Sequence, residues 1–229
     1  MNLKFLQIDI NNKTTMEIFY KFYREIIVPN FDDSERETID QFEHELKLED
    51  DSRKYYIVVI LDDNSNMLGG IIFDYFTETN VGLIEYIVTD SKQKRKGIAS
   101  ESLKFAVNIL NKEAKKRRYE RIKFICGEVE KQINGREDKH YFWEKYGFKK
   151  LDFDYIQPAL DSEKQPVEIM DFGIMTKIPN SEFLEKGINT KDLINILYNY
   201  YGEQPNSEDT LSKMKKEIED KGDVILLVD

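Results

Sequence analysis

The chain has 229 residues, 40% of them hydrophobic and 12% aromatic, enough for one sizeable core with an appendage. A formal net charge of −10 argues against nucleic acid as a partner, and one cysteine, Cys126, with two histidines excludes an internal disulfide and implies no metal. The longest apolar run, 55–61, is far too short to span a bilayer, and Lys4 and Asp9 interrupt any leader-like stretch, so no membrane association and a cytoplasmic location are expected.

In chain order, alternation over 3–10 predicts a strand. Met16, Phe19, Tyr20, Tyr23, Ile26 and Ile27 at helical spacing predict a helix over 13–28, stopped by Pro29. Ser34 followed three residues later by Glu37 has the form of a capping box and predicts a second helix ending near residue 48. A β-branched and aromatic run over 55–61, turn residues over 62–66 and a second apolar run over 67–76 predict a hairpin, which 81–89 extends as a third antiparallel strand. Leu103, Ala106, Val107 and Leu110 fall on one stripe of a helix over 97–117. A strand over 121–129, a short helix over 138–146 ended by Gly147, and strands over 148–155 and 167–177 complete the order. The expectation is an α/β fold over 1–177, with a single mixed, mostly antiparallel sheet flanked by helices. Residues 178–229 read as a C-terminal α/β extension: helices over 190–201 and 208–221, then a strand over 224–228. Its five consecutive apolar residues need cover on the parent sheet or on a second copy, so a homodimer is one expected arrangement.

Charge is unevenly spread. Residues 32–52 hold ten acids against Arg36 and Lys47, whereas 92–123 hold twelve Lys or Arg against Glu101, Glu113 and Glu120. One region suits cations and another suits anions. The run SKQKRKGIASESL, 91–103, puts Lys92, Lys94, Arg95 and Lys96 where a strand turns into a helix. Unpaired N–H groups and the positive end of the helix dipole at such a turn attract phosphate; Gly97 lets the backbone approach closely, and Ala99 keeps the first turn narrow. The pattern is neither a Walker loop nor a dinucleotide fingerprint, because the required glycines and the Lys-Ser/Thr pair are missing.

The stretch IVTDSKQKRKGIAS resembles the acyl-CoA signature of the GCN5-related N-acetyltransferases (GNAT), Arg/Gln-x-x-Gly-x-Gly/Ala at a helix start, here Lys94-x-x-Gly97-x-Ala99. YFWEKYGFKKLDF, 141–153, is similar to the same family's Phe-Tyr-Glu-Lys-Leu-Gly-Phe segment. The resemblance covers roughly 3–177. It implies a GNAT-type sheet and transfer of an acetyl group from acetyl-CoA, as co-substrate, to a small-molecule or peptide amine by direct attack on the thioester. It implies a CoA site at Lys94, Arg95, Lys96, Gly97, Ile98, Ala99 and Ser100 with Trp143 nearby, and oxyanion-binding N–H groups at Ile87 or Val88. Glu85 is the expected base for the acceptor ammonium. The family's frequent acid, a Tyr, is replaced by Trp143, whose indole N–H cannot protonate a leaving thiolate. His140 or Tyr141 is the expected substitute, unless water serves or no acid is needed; the alternative is an inactive CoA-binding sensor or scaffold. In this family the first two helices usually wall the acceptor side, so the acids at 32–51 point to a cationic amine, or else merely solvate a surface helix.

Overall fold

The computed structural model describes residues 2–131, 140–160, 163–168, 170–178, 187–202, 204 and 207–228, with Ser34, His140 and Tyr141 described by backbone alone. The chain opens with strand β1 (Lys4–Gln7) and helix α1 (Lys13–Phe22), capped by Asn12, whose side chain accepts from the Thr14 and Thr15 N–H groups. The helical path does not stop before Pro29. It passes through a π-helical turn, Tyr23–Ile27, into a short α2 (Val28–Asn30), where Pro29 sits in the first turn and needs no intrahelical donor.

The expected capping box at Ser34 and Glu37 is overturned. A 3-10 turn occupies Asp33–Glu35, and the box is instead Thr38 with Gln41: the Thr38 hydroxyl accepts from the Gln41 N–H, and the Gln41 side chain accepts from the Thr38 N–H. Helix α3 (Ile39–Lys47) therefore starts later. The reason is burial of Glu37, only 4% exposed, with its backbone threaded between two tyrosines. Tyr23 donates to the Glu37 carbonyl at 3.0 Å, and the Glu37 N–H donates to the Tyr86 hydroxyl at 3.2 Å.

Strands β2 (Arg53–Leu61), β3 (Met67–Phe76) and β4 (Val81–Thr89) form the expected meander. Then follow α4 (Ile98–Lys116), β5 (Phe124–Glu130), α5 (His140–Lys145), β6 (Phe148–Leu151) and β7 (Met170–Met175). The C-terminal segment adds β8 (Gly187–Asn189), α6 (Thr190–Tyr201), α7 (Ser207–Asp220) and β9 (Val224–Val228). All nine strands make one sheet in the order β1-β2-β3-β4-β5-β7-β6-β9-β8. The β4–β5 pair is parallel and the other pairs antiparallel.

Alternation along the strands decides the two faces. Ile57, Val59, Ile72 and Tyr86 pack with Phe19, Phe22 and Phe42 of α1 and α3. Val58, Ile71, Phe73 and Ile84 pack with Leu103, Ala106, Val107 and Leu110 of α4. The terminal apolar strand finds its cover within the chain: Ile225 joins Leu193, Leu197, Leu211 and Ile218 of α6 and α7 against Phe124, Phe153 and Phe172. No helix among the described residues is long and apolar enough to cross a membrane.

Two outcomes follow for stability. Ile225 is fully buried while Leu226 is 53% exposed, so Ile225→Ala should lose about 2–5 kcal/mol in urea unfolding and Leu226→Ala less than about 0.5 kcal/mol. Burial, with Glu45 next, pushes the Glu37 carboxyl up to about 8 from its ordinary 4.5. The folded chain thus keeps a proton that the unfolded chain releases, and the stability this gives is present at low pH and lost as pH rises towards 8. Glu37→Gln should raise the melting temperature at pH 8, with the gap closing towards pH 5.

Candidate active site

Strands β4 and β5 run in register from Val81 opposite Phe124 to Ile84 opposite Gly127, and the pairing ends there. Glu85 and Glu128 are the first residues beyond the last pair. Glu85 is also the extra residue of a β-bulge, since Tyr86 pairs with Ile72 and Ile84 with Phe73. A bulge bends its strand and re-aims a side chain. Where the strands part, a cavity of about 600 Å³ opens. Glu85 and Glu128 line it with Lys94, Arg95, Ala99 and Trp143, so one space joins the basic turn to the strand carboxylates.

The geometry of the basic turn suits an anion. Arg95 and Gly97 both have left-handed backbone, φ 65° and 81°, and a Cβ on Gly97 would meet nothing within 4 Å. Arg95 bears the strain of that conformation, of order 1 kcal/mol, where glycine bears none. Helix α4 begins without a side-chain cap, which leaves its first N–H groups for a ligand. Not every expected CoA residue lines the cavity. Ile87, Val88, Lys94, Arg95, Ala99 and Trp143 do. Ile98 is buried beside Ile60 and Leu68, Lys96 donates to Gln93, and Ser100 accepts from Lys145 at 2.8 Å.

At the other end, Glu85 is held from behind. The guanidinium of Arg53 donates to both Asp74 oxygens, at 2.8 and 3.0 Å, and to Glu85 Oε1 at 3.2 Å, and meets Glu45 at 2.9 Å. Burial pulls on the Arg53 proton, but Asp74, Glu85 and Glu45 outweigh it and hold the group charged, well above its ordinary value. Glu85 Oε2 has no donor among the described residues. Burial, then the charge of Asp74 and a hydrogen bond shared with it, holds the Glu85 carboxyl well above the usual carboxylate range, against the pull of Arg53.

Glu128 is the partner that sequence reasoning missed. Its Oε1 accepts from the hydroxyls of Tyr155 and Tyr201, which lie 2.8 Å apart. Burial raises its proton affinity while the two hydroxyls lower it. Tyr200, also unforeseen, brings the C-terminal extension to the cavity wall, with its ring 5.5 Å from the Arg53 guanidinium. The one available signal for Glu128 was an acid inside the apolar run FICGEV; Tyr155, Tyr200 and Tyr201 carried none. Of the ten acids over 32–51, Glu35 alone lines this cavity. Glu43 meets Lys47 and Glu45 meets Arg53, so the expected acidic wall comes chiefly from the strands.

Trp143 takes the place of the expected acid. It is 9% exposed, and its ring would lie 3.3 Å from a Cβ built on Gly127, so a side chain there would press the ring back by a few tenths of an ångström. The side chains of His140 and Tyr141 lie outside the described residues.

The comparisons agree with this geometry. The model of the Acetyltransferase (GNAT) family matches residues 15–148, more than half of the chain. Among solved structures, a GNAT-family protein from Bacteroides thetaiotaomicron superposes with a TM-score of 0.60 at 17% identity, covering 87% of this chain and 97% of its own. A tandem GNAT protein from the clavulanic acid biosynthesis pathway superposes with a TM-score of 0.55 at 9% identity, over 96% of this chain and 65% of its own. No curated protein matches the chain in sequence. With its motif loop, its splayed strands and the family match on one cavity, the chain belongs to the GNAT family of acetyltransferases.

Proposed function

We propose that the protein transfers an acetyl group from acetyl-CoA to a primary amine, with Glu85 as base. The observation that carries this reading is the single cavity that joins the basic turn of α4 to a buried carboxylate on a bulged strand. Acetyl-CoA supplies an activated acyl carbon. The first-turn N–H groups of α4, with Lys94 and Arg95, hold its phosphates, and the open space at the Gly97 α-carbon fits that approach.

An amine of ordinary pKa reaches neutral pH as ammonium and cannot attack until it loses a proton. Glu85 Oε2 takes that proton; the raised proton affinity of Glu85 brings it nearer to that of the amine, which eases the transfer. The N–H of Ile87 or Val88 takes up negative charge that develops on the thioester oxygen. A thiolate with a pKa near 8.5 leaves without an acid at neutral pH, so Trp143 need not donate a proton. Trp143 is also what favours the alternative, a CoA-binding sensor that has lost chemistry.

Thermal unfolding with acetyl-CoA, followed by thiol release on an amine panel, separates the two: a melting shift with turnover supports the enzyme, and a shift without turnover the sensor. Arg95→Glu should shrink the acetyl-CoA melting shift, and added salt should shrink it further in the parent protein than in the variant. Glu85→Gln should lower turnover by about 10²- to 10⁴-fold while keeping the acetyl-CoA shift. In the parent, the rate rises with pH as Glu85 gives up its proton, and its raised proton affinity moves this limb above the ordinary carboxylate range. The limb should vanish from the pH profile of Glu85→Gln, leaving only that of the acceptor ammonium.

A further inference from the structure

Among the described residues, two of those that line the cavity carry a buried side-chain oxygen without a partner. Glu85 and Gln157 line it, and Glu85 Oε2 and Gln157 Oε1 are buried with no donor among the described residues. Both are acceptors. Buried acceptors without donors are costly, so the cavity is completed by a ligand that brings N–H groups. Gln157 is 4% exposed, and its backbone is bridged to Val167.

Glu128 adds charge to this picture. Its hydrogen bonds come from two tyrosine hydroxyls, and no described cation pairs with it. Arg53 does not serve, since its donors go to Asp74, Glu85 and Glu45. A buried carboxylate without a counter-ion is unfavourable until a cation arrives. Glu35 and Glu130 line the same cavity, and its described cations, Lys94 and Arg95, belong to the basic turn. An acceptor that carried its own carboxylate, such as an amino acid, would set like charges together.

Glu85 and Glu128 sit on neighbouring strands just past their last paired residues. Strands are about 5 Å apart where paired and farther apart beyond, which matches two ammonium groups joined by a few methylenes.

Resting on the acetyltransferase reading, we propose that the acceptor is an aliphatic diamine or longer polyamine, with the reacting amine at Glu85 and a second ammonium held by Glu128 and Gln157. The carboxylate of Glu128 is the counter-ion of the distant ammonium, and Tyr155 and Tyr201 keep it oriented by holding one of its oxygens. The amide oxygen of Gln157 takes a further N–H. Acetylation removes one positive charge from the acceptor and leaves the ammonium at Glu128 unchanged.

The test uses three acceptors of one chain length on the full-length protein: 1,4-diaminobutane, butylamine and 4-aminobutyrate. Thiol release from acetyl-CoA gives kcat/KM for each, and calorimetry in the presence of CoA gives the affinity for each. The expected result is a preference for 1,4-diaminobutane over butylamine of roughly 10- to 100-fold, with 4-aminobutyrate poorest. Glu128→Gln, which keeps an oxygen for the two tyrosines, should collapse that ratio towards one, and Gln157→Leu should reduce it. Equal use of butylamine and 1,4-diaminobutane, or a preference for 4-aminobutyrate, would overturn the proposal and leave the acetyltransferase standing. Tight binding of 1,4-diaminobutane without thiol release would uphold the pocket and overturn the transfer chemistry. Weak binding of all three with no thiol release would overturn both.

Discussion

The structure of the site depends on one buried cation. Arg53 stands at the start of β2, and its guanidinium reaches Asp74 on β3, Glu85 on β4 and Glu45 on α3. Four elements are tied at one planar group. Arginine suits this role because it stays charged and donates in a fixed fork, which lysine does not. Three carboxylates meet around it where the acids alone would repel, and each would be expensive to bury unpaired. The rings of Tyr55 and Tyr200 flank the guanidinium at 5.4 and 5.5 Å and add apolar cover.

That arrangement settles the character of Glu85. One carboxylate shared between a cation and a second acid has an oxygen with no donor among the described residues and holds its proton more firmly than a surface glutamate would. The bulge places it just past the last pair of β4 and β5, where the two strands part. Residue type, hydrogen-bond partner and strand geometry act on the same atom. The cavity is polar in one direction: a basic turn with a free helix start lies at one end, and carboxylates lie where the strands separate.

The C-terminal segment is part of this construction. Strand β9 pairs with β6 and carries the sheet past it, while α6 and α7 bury Leu193, Leu197, Leu211 and Ile218 against it. Because α6 is anchored in that way, Tyr200 reaches the cavity wall and Tyr201 reaches Glu128. Packing at the sheet edge is thereby coupled to the polar contacts of the cavity.

Much of this was legible in the sequence because it depends on near neighbours. Strand alternation, the stripe on α4, the turn with Gly97 and the strong positive charge at 92–96 are local properties, and the residues that carry them lie within a few positions of one another. Ser34 and Glu37 show the limit of such reading: the spacing of a capping box was present, but burial of Glu37 between Tyr23 and Tyr86 outweighed it, and Thr38 with Gln41 made the cap instead. Glu85 was legible as an acid in an apolar strand, whereas its bulge and its pairing with Arg53, 32 residues away, were not. The contact between Glu128 and Tyr201 spans 73 residues. By itself the sequence determined the order of the elements and the basic turn ahead of α4, because these rest on local periodicity and charge. Only the tertiary structure decided which carboxylates share a cavity and which one has no cation beside it among the described residues, because desolvation and pairing arise when distant segments pack together.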